Sequence, residues 1–307
     1  MTDKKFITEA KGYVVANLIG VAIVYITKYI EIKYAGFTSG TLIFSEFIIV
    51  PMLIGIVSAW FWRHLNFSGR KLTGNSCINV LIAIGLSFLF LGEGTICLVI
   101  VSPLLFAFVT GGAFLGRLMF GQNKQKLNIS IVSLLIAVFI VDSVSEHHYE
   151  NMVSDTIIVN APANQVWKNV VAFKRIKAEN KFWLFKIGMP SPVESTVDGH
   201  YLGANRKCIF SNGYTFDEKI ITYDEDKDLT FAVTNQPRDP EIMGHIDIMQ
   251  GQFLLHDNGD GTTTLIGNSW YRLHVFPVWY YDIWAQSITR NVHLRVMEHI
   301  KELSETK

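Results

Sequence analysis

Long apolar runs crowd the first 145 residues and constrain this chain more than any other feature. A helix needs about 20 mostly apolar residues to cross the hydrocarbon core of a bilayer. Five segments are candidates: Tyr13–Ile30, Thr41–Trp62, Ser76–Leu91, Gly94–Gly116 and Leu127–Val144. The third and fifth are short, and Asn128, Ser130 and Asp142 interrupt the fifth. Two counts are therefore compatible with the pattern: five spans, or four spans plus a surface helix. The first run is too long for a cleaved signal peptide, and no small-residue cleavage site follows it.

Charge separates two regions. Residues 1–143 carry 11 Lys/Arg against 6 Asp/Glu, a net of +5, whereas residues 144–307 carry 16 against 21, a net of −5. Only 18% of all residues are charged, below the quarter or so of a soluble domain. With zero formal net charge, the composition implies no nucleic-acid partner. A multi-pass region over 1–145, a linker over 146–153 and a water-soluble domain over 154–307 follow.

Basic residues set the expected orientation, because Lys and Arg stay on the cytoplasmic side. They gather at Lys4, Lys5 and Lys11, at Arg63, Arg70 and Lys71, and at Arg117, Lys124 and Lys126. The connection at Glu93 and the stretch Asp142, Glu146, Glu150 are acidic, while Lys28 and Lys33 flank Glu31 and dissent mildly. Five spans put the soluble domain outside the cytoplasmic membrane; four put it inside. Glu46 sits in the second candidate with Pro51 after it, where a hydrated carboxylate or a pair with Lys28 is the plain reading. Gly112-Ala-Phe-Leu-Gly116 is a small-xxx-small pattern that permits close helix contact. No chain of acidic groups or filter-like motif points to a channel or transporter.

From residue 154 the periodicity changes. Asp155–Asn160 reads as a strand, Ala161-Pro162-Ala163 opens a helix, and Phe173–Asn180 is a candidate second helix. Strands of period two follow at 200–210, 214–223, 229–235, 245–256 and 262–273, with a possible short one near 193–197. A helix then runs from Pro277 to about Leu303, with Tyr281, Ala285, Ile288, Val292, Val296 and Ile300 as its apolar stripe.

The run Ile157-Ile158-Val159-Asn160-Ala161-Pro162-Ala163-Asn164-Gln165-Val166-Trp167 resembles the opening of START-like helix-grip domains. That superfamily, also called SRPBCC, includes polyketide cyclases, coenzyme Q-binding proteins and lipid-transfer domains. The late Gly259-Asp260-Gly261-Thr262-Thr263-Thr264-Leu265 hairpin and the long last helix are similar too. The resemblance covers about 154–303 and implies an α+β domain, a curved antiparallel sheet around a C-terminal helix, behind an all-α membrane region. It implies a hydrophobic small-molecule or lipid ligand, without deciding between carrier, sensor and enzyme.

Hairpin arithmetic proposes which residues face the ligand. A three-residue Ser211-Asn212-Gly213 loop places Arg206 opposite Glu218, Cys208 opposite Phe216 and Phe210 opposite Tyr214. A two-residue loop would oppose Arg206 to Lys219, a repulsive pair. In the last hairpin the expected partners are Leu255 with Thr263, Phe253 with Leu265, Gly251 with Gly267, Met249 with Ser269 and Asp247 with Tyr271. The expected site is thus Arg206, Cys208, Phe210, Phe216, Glu218, Asp247, Met249, Gly251, Phe253, Gly267, Ser269 and Tyr271, closed by Trp284 and Ile288 of the last helix. Apolar walls with a few polar groups suit a small-molecule site. An Arg206–Glu218 pair that is merely structural is the plainer alternative.

No nucleophile motif, phosphate loop, Ser-His-Asp order or metal-ligand spacing is assignable, so no cofactor or metal is expected. His147 and His148 read as interfacial linker. Cys77, Cys97 and Cys208 make no disulfide framework. The aromatics Trp270, Tyr271, Phe276, Trp279, Tyr280, Tyr281 and Trp284 cluster where the last strand enters the last helix, either as core or as a membrane-facing rim. Three functions remain: membrane-anchored binding, carriage or sensing of a lipid-like molecule; a cyclase- or dehydratase-type enzyme with the same cavity; or an interaction module with a filled core.

Overall fold

The computed structural model describes residues 2–34, 48–92, 94–120, 149–237 and 245–306. Two compact units emerge, residues 1–147 with 275–277, and 148–307 without them. The candidate span 127–144, Glu46, Glu93, Lys124, Lys126, His147 and His148 lie outside the described residues.

The N-terminal unit contains α1 (Thr2–Tyr34), α2 (Val50–Trp62), α3 (Gly69–Leu86, continued by a π-helical turn over Ser87–Leu91) and α4 (Thr95–Met119). Proline in the first turn suits the start of α2, because the helix makes no use of that N–H. Ser68 caps α3 through its hydroxyl, which accepts from the Lys71 amide at 3.3 Å. This helix begins seven residues before the sequence pattern suggested, since Asn75 and Ser76 are buried among its neighbours. By length and composition three helical stretches could cross a membrane: Lys4–Thr27, Gly69–Phe90 and Thr95–Met119.

The interior of this unit is mostly apolar, with Ala16, Val50, Ile54, Val80 and Val109 in one cluster, but it also holds a small polar group, and large apolar side chains remain on its surface. Leu18, Leu81, Leu89 and Leu118 are exposed, whereas Asn17, Ser58, Asn75, Ser76 and Asn79 are buried. Asn79 donates to the Ser58 hydroxyl at 2.7 Å, and Asn75 donates to Glu9 at 2.7 Å. The buried polar groups find partners in each other, as buried polar groups must, and the exposed leucines are the unusual feature of this unit's surface. The Gly112-x-x-x-Gly116 pattern lies in the α2–α4 contact. A Cβ at Gly112 would sit 2.2 Å from the Met52 carbonyl oxygen, so the two backbones touch.

The C-terminal unit is one seven-stranded antiparallel sheet, ordered β1-β7-β6-β5-β4-β3-β2, with a long helix across it. The strands are β1 (Tyr149–Val159), β2 (Pro192–Val197), β3 (Asn205–Phe210), β4 (Thr215–Asp224), β5 (Asp228–Asn235), β6 (Ile246–Asp257) and β7 (Thr263–Leu273). Helices α5 (Ala163–Val171) and α6 (Trp183–Lys186) sit between β1 and β2, and α7 (Val278–Glu305) ends the unit. β1 starts at Tyr149, so residues 149–153, expected as linker, are strand paired to β7. The expected helix at Phe173–Asn180 does not form; only the single turn α6 follows, further along. Val166, Trp167 and Val170 of α5 meet Phe231, Phe253, Leu265, Met297 and Ile300 in one core. This curled antiparallel sheet around a C-terminal helix is the helix-grip architecture.

Candidate functional site

The inner face of the sheet is defined by what meets α7. The β3–β4 turn has the three-residue form: Gly213 has φ +85°, and its amide donates to the Phe210 carbonyl at 2.9 Å. Arg206 therefore lies opposite Glu218, and Cys208 opposite Phe216. Arg206 and Glu218 are both buried and form a hydrogen-bonded ion pair. The Arg206 Nε also donates to the Val171 carbonyl at 3.2 Å, and its guanidinium stacks 4.5 Å from the Phe231 ring centroid. Burial pushes the Glu218 carboxyl above its ordinary value, outweighing the attraction of Arg206. Burial, with Glu218 adding to it, pushes the Cys208 thiol up to about 12, so Cys208 is no thiolate nucleophile at neutral pH.

The last hairpin departs from the expected register by two residues. Leu255 opposes Leu265, Phe253 opposes Gly267, and Gly251 opposes Ser269. The strands run on to Asp257 and Thr263 because the turn ties itself: Asp257 accepts from the Gly259 amide and Asp260 from the Thr262 amide, each at 2.9 Å. A bulge between Ile248 and Gln250 then changes the facing of the strand's first residues. Asp247, expected on the inner face opposite Tyr271, instead pairs with Arg272, is half exposed, and contacts His274 Nε2 at 2.8 Å. Met249, expected opposite Ser269, lies in the bulge and lines an open depression with Val233, Asn235 and Arg272.

Gly251 and Gly267 were expected as cross-strand neighbours that leave room for a ligand. A Cβ at Gly251 would stand 2.5 Å from the Phe231 ring, and one at Gly267 2.8 Å from the Met297 sulfur. Protein side chains thus occupy both spaces, and Gly267 serves close helix–sheet packing.

A polar seam runs along the β1–β7 side of the inner face. The Tyr271 hydroxyl donates to Asp282 at 2.6 Å, and Asn151 donates to the same carboxylate at 3.0 Å. Burial and this carboxylate both raise the Tyr271 pKa, so Tyr271 stays a phenol. One step along, Ser269 Oγ lies 2.7 Å from His293 Nε2, and His293 Nδ1 lies 3.1 Å from Asp155 Oδ2. Arg290 donates to the other Asp155 oxygen at 2.8 Å. Ser269 was expected as a lining residue; Asp155 and His293 were not expected in the site, and no Ser-His-Asp order was assignable. Their positions 155, 269 and 293 share no sequence spacing, because β1, β7 and α7 meet only in the fold.

The buried stripe of α7 shifts accordingly. It includes Tyr281, Ala285, Thr289, His293, Val296, Met297 and Ile300, while Ile288 and Val292 are half-buried on its flank. Trp284 packs on Trp183 at 6.3 Å between ring centroids. Trp279 and Ile283 stand 67% and 64% exposed, and Trp183 47% exposed. Among the described residues, no group of three or more His, Cys, Asp or Glu is placed to hold a metal ion.

No protein-family model matches this sequence, and no curated protein matches it. Solved structures similar to it include truncated norcoclaurine synthase from Thalictrum flavum, 13% identical, covering 53% of this chain and 99% of that one with a TM-score of 0.37. Another is the Zhui aromatase/cyclase from a Streptomyces species, 13% identical, covering 51% and 94% with a TM-score of 0.36. A protein from Nitrosospira multiformis is 16% identical and covers 48% and 93% with a TM-score of 0.31. The assignment of the C-terminal unit to the helix-grip architecture rests on its own sheet order, register and closing helix.

Proposed function

We propose that this protein is anchored by its N-terminal helices in the cytoplasmic membrane, with five spans and the grip domain outside. There the domain binds, carries or senses a lipid-like hydrophobic molecule. The proposed contacts are Arg206, Cys208, Phe210, Phe216, Glu218, Phe253, Ser269 and Tyr271 on the sheet, with Trp284 and Ile288 on α7.

The observation that carries this reading is the uncovered rim of Trp183, Trp279 and Ile283 beside half-buried Trp284. Large aromatics left exposed at one end of a grip helix are costly in water and favourable at a lipid–water interface. The large apolar side chains exposed on the N-terminal helices, Leu18, Leu81, Leu89 and Leu118 among them, and three helices long and apolar enough to cross a membrane support a bilayer as their surroundings. A tethered domain would meet its ligand at high effective concentration.

The test uses the full chain purified in detergent and exchanged into nanodiscs. Native mass spectrometry should recover one hydrophobic molecule per chain. Cys208→Trp, which adds bulk beside Phe216, should lose it. Trp279→Ala and Trp284→Ala should slow ligand exchange with liposomes more than they lower the melting temperature. Equal retention by Cys208→Trp, or no retained molecule in the wild type, would overturn the reading.

A further inference from the structure

The Ser269–His293–Asp155 seam has the connectivity of an activated hydroxyl. An imidazole in its neutral form has one N–H and one lone pair. Asp155, buried against α7, holds His293 Nδ1 at 3.1 Å and so directs the lone pair of Nε2 toward Ser269 Oγ at 2.7 Å. His293 and Asp155 are both less than a tenth exposed, whereas Ser269 is partly open to solvent. The two more buried members orient, and the serine is the partly exposed one. That is the order a nucleophile, its base and the base's orienting group require.

From this juxtaposition we propose that Ser269 is a nucleophile for acyl transfer, with His293 as its general base and Asp155 as the positioning residue. The substrate class is the ester of a hydrophobic acid. That hydrophobic preference rests on the ligand-binding reading above; the reactivity of Ser269 does not. Ser269 Oγ attacks the ester carbonyl carbon while its proton passes to His293 Nε2. The tetrahedral adduct collapses, the carbon–oxygen bond to the alcohol breaks, and the alcohol leaves with that proton. Water then attacks the acyl-serine, giving its proton to His293; the carboxylic acid departs and Ser269 recovers the proton.

The charges facing His293 fit a base. Burial lowers its pKa below the ordinary 6.5, Asp155 on β1 opposes that, and Arg290 on its own helix reinforces it; Ser269 on β7 is uncharged. The ring is then neutral at pH 7, as a general base must be.

The test treats the full chain in detergent with a fluorophosphonate probe and maps the adduct by peptide mass spectrometry. The expected adduct is on Ser269, absent in Ser269→Ala and formed about 100-fold more slowly in His293→Gln. The wild-type rate should fall at acid pH with an apparent pKa under 6.5. Asp155→Asn should move that midpoint lower, because the carboxylate that raises it is gone; a purely structural pin would move no pH profile. p-Nitrophenyl octanoate should be cleaved faster than the acetate. Equal rates for the two esters would sink the hydrophobic ligand while leaving the nucleophile intact. A folded wild type that takes no probe at Ser269, or an undiminished rate in His293→Gln, would overturn the proposal; wild-type labelling decides it even where a variant fails to fold.

Discussion

Breaking the Arg206–Glu218 pair should cost more than removing it. In Arg206→Met the carboxyl of Glu218 stays buried, facing Cys208 and Phe216 with no cation. Stranding one member of a buried pair typically costs about 3–5 kcal/mol. Losing the donor to the Val171 carbonyl adds roughly 1 kcal/mol. Glu218 can escape part of this by taking up a proton, at about 1.4 kcal/mol per pH unit. Its pKa already stands above the ordinary 4.5 in the intact pair and must rise further without Arg206. The folded state then binds more protons than the unfolded one between these two values, so stability is greatest below 4.5 and falls as pH rises through the folded value. The penalty in Arg206→Met should therefore be larger at pH 8 than at pH 5. Arg206→Met with Glu218→Leu removes both charges and should lie within about 2 kcal/mol of wild type. The assay is urea titration of the full chain in detergent, read locally by hydrogen-exchange mass spectrometry of β3 and β4 peptides. If Arg206→Met alone and Glu218→Leu alone each cost less than about 1 kcal/mol at either pH, or the double variant costs their sum, the pair is not a buried, coupled unit.

Gly112→Leu should separate α2 from α4, because its side chain would overlap the Met52 carbonyl; the expected cost of about 1–3 kcal/mol reads as a lower melting temperature in detergent. Gly267→Ala should be tolerated with a shift of Met297, whereas Gly267→Leu should melt the grip domain; Gly267→Ala with Met297→Ala should recover any loss, and a stable Gly267→Leu would show that the helix does not press on β7 there. A reporter active only outside the cytoplasm, fused after Lys307, should be active; activity of a cytoplasm-only reporter would support four spans.

Some of this structure is written locally. The β3–β4 register follows from a glycine with positive φ in a three-residue turn and from the repulsion that a shorter loop would place between Arg206 and Lys219. The succession of strands along the chain, the long last helix and the apolar character of the N-terminal helices follow from periodicity and run length, which are properties of neighbouring residues; the place of β1 beside β7 in the sheet does not. The β6–β7 register is not of that kind. Side-chain bonds inside the turn and a bulge near Met249 shift it, and neither leaves a signature in the alternation of apolar residues. The inner stripe of α7 is decided further away still. By hydrophobicity Ile288 and Val292 should face the sheet, yet Thr289 and His293 occupy that face. His293 can be buried there only because Ser269 on β7 and Asp155 on β1 supply partners for both ring nitrogens. The place of His293 in the core depends on groups 24 and 138 residues away, on two other elements, and only the folded chain brings them within reach.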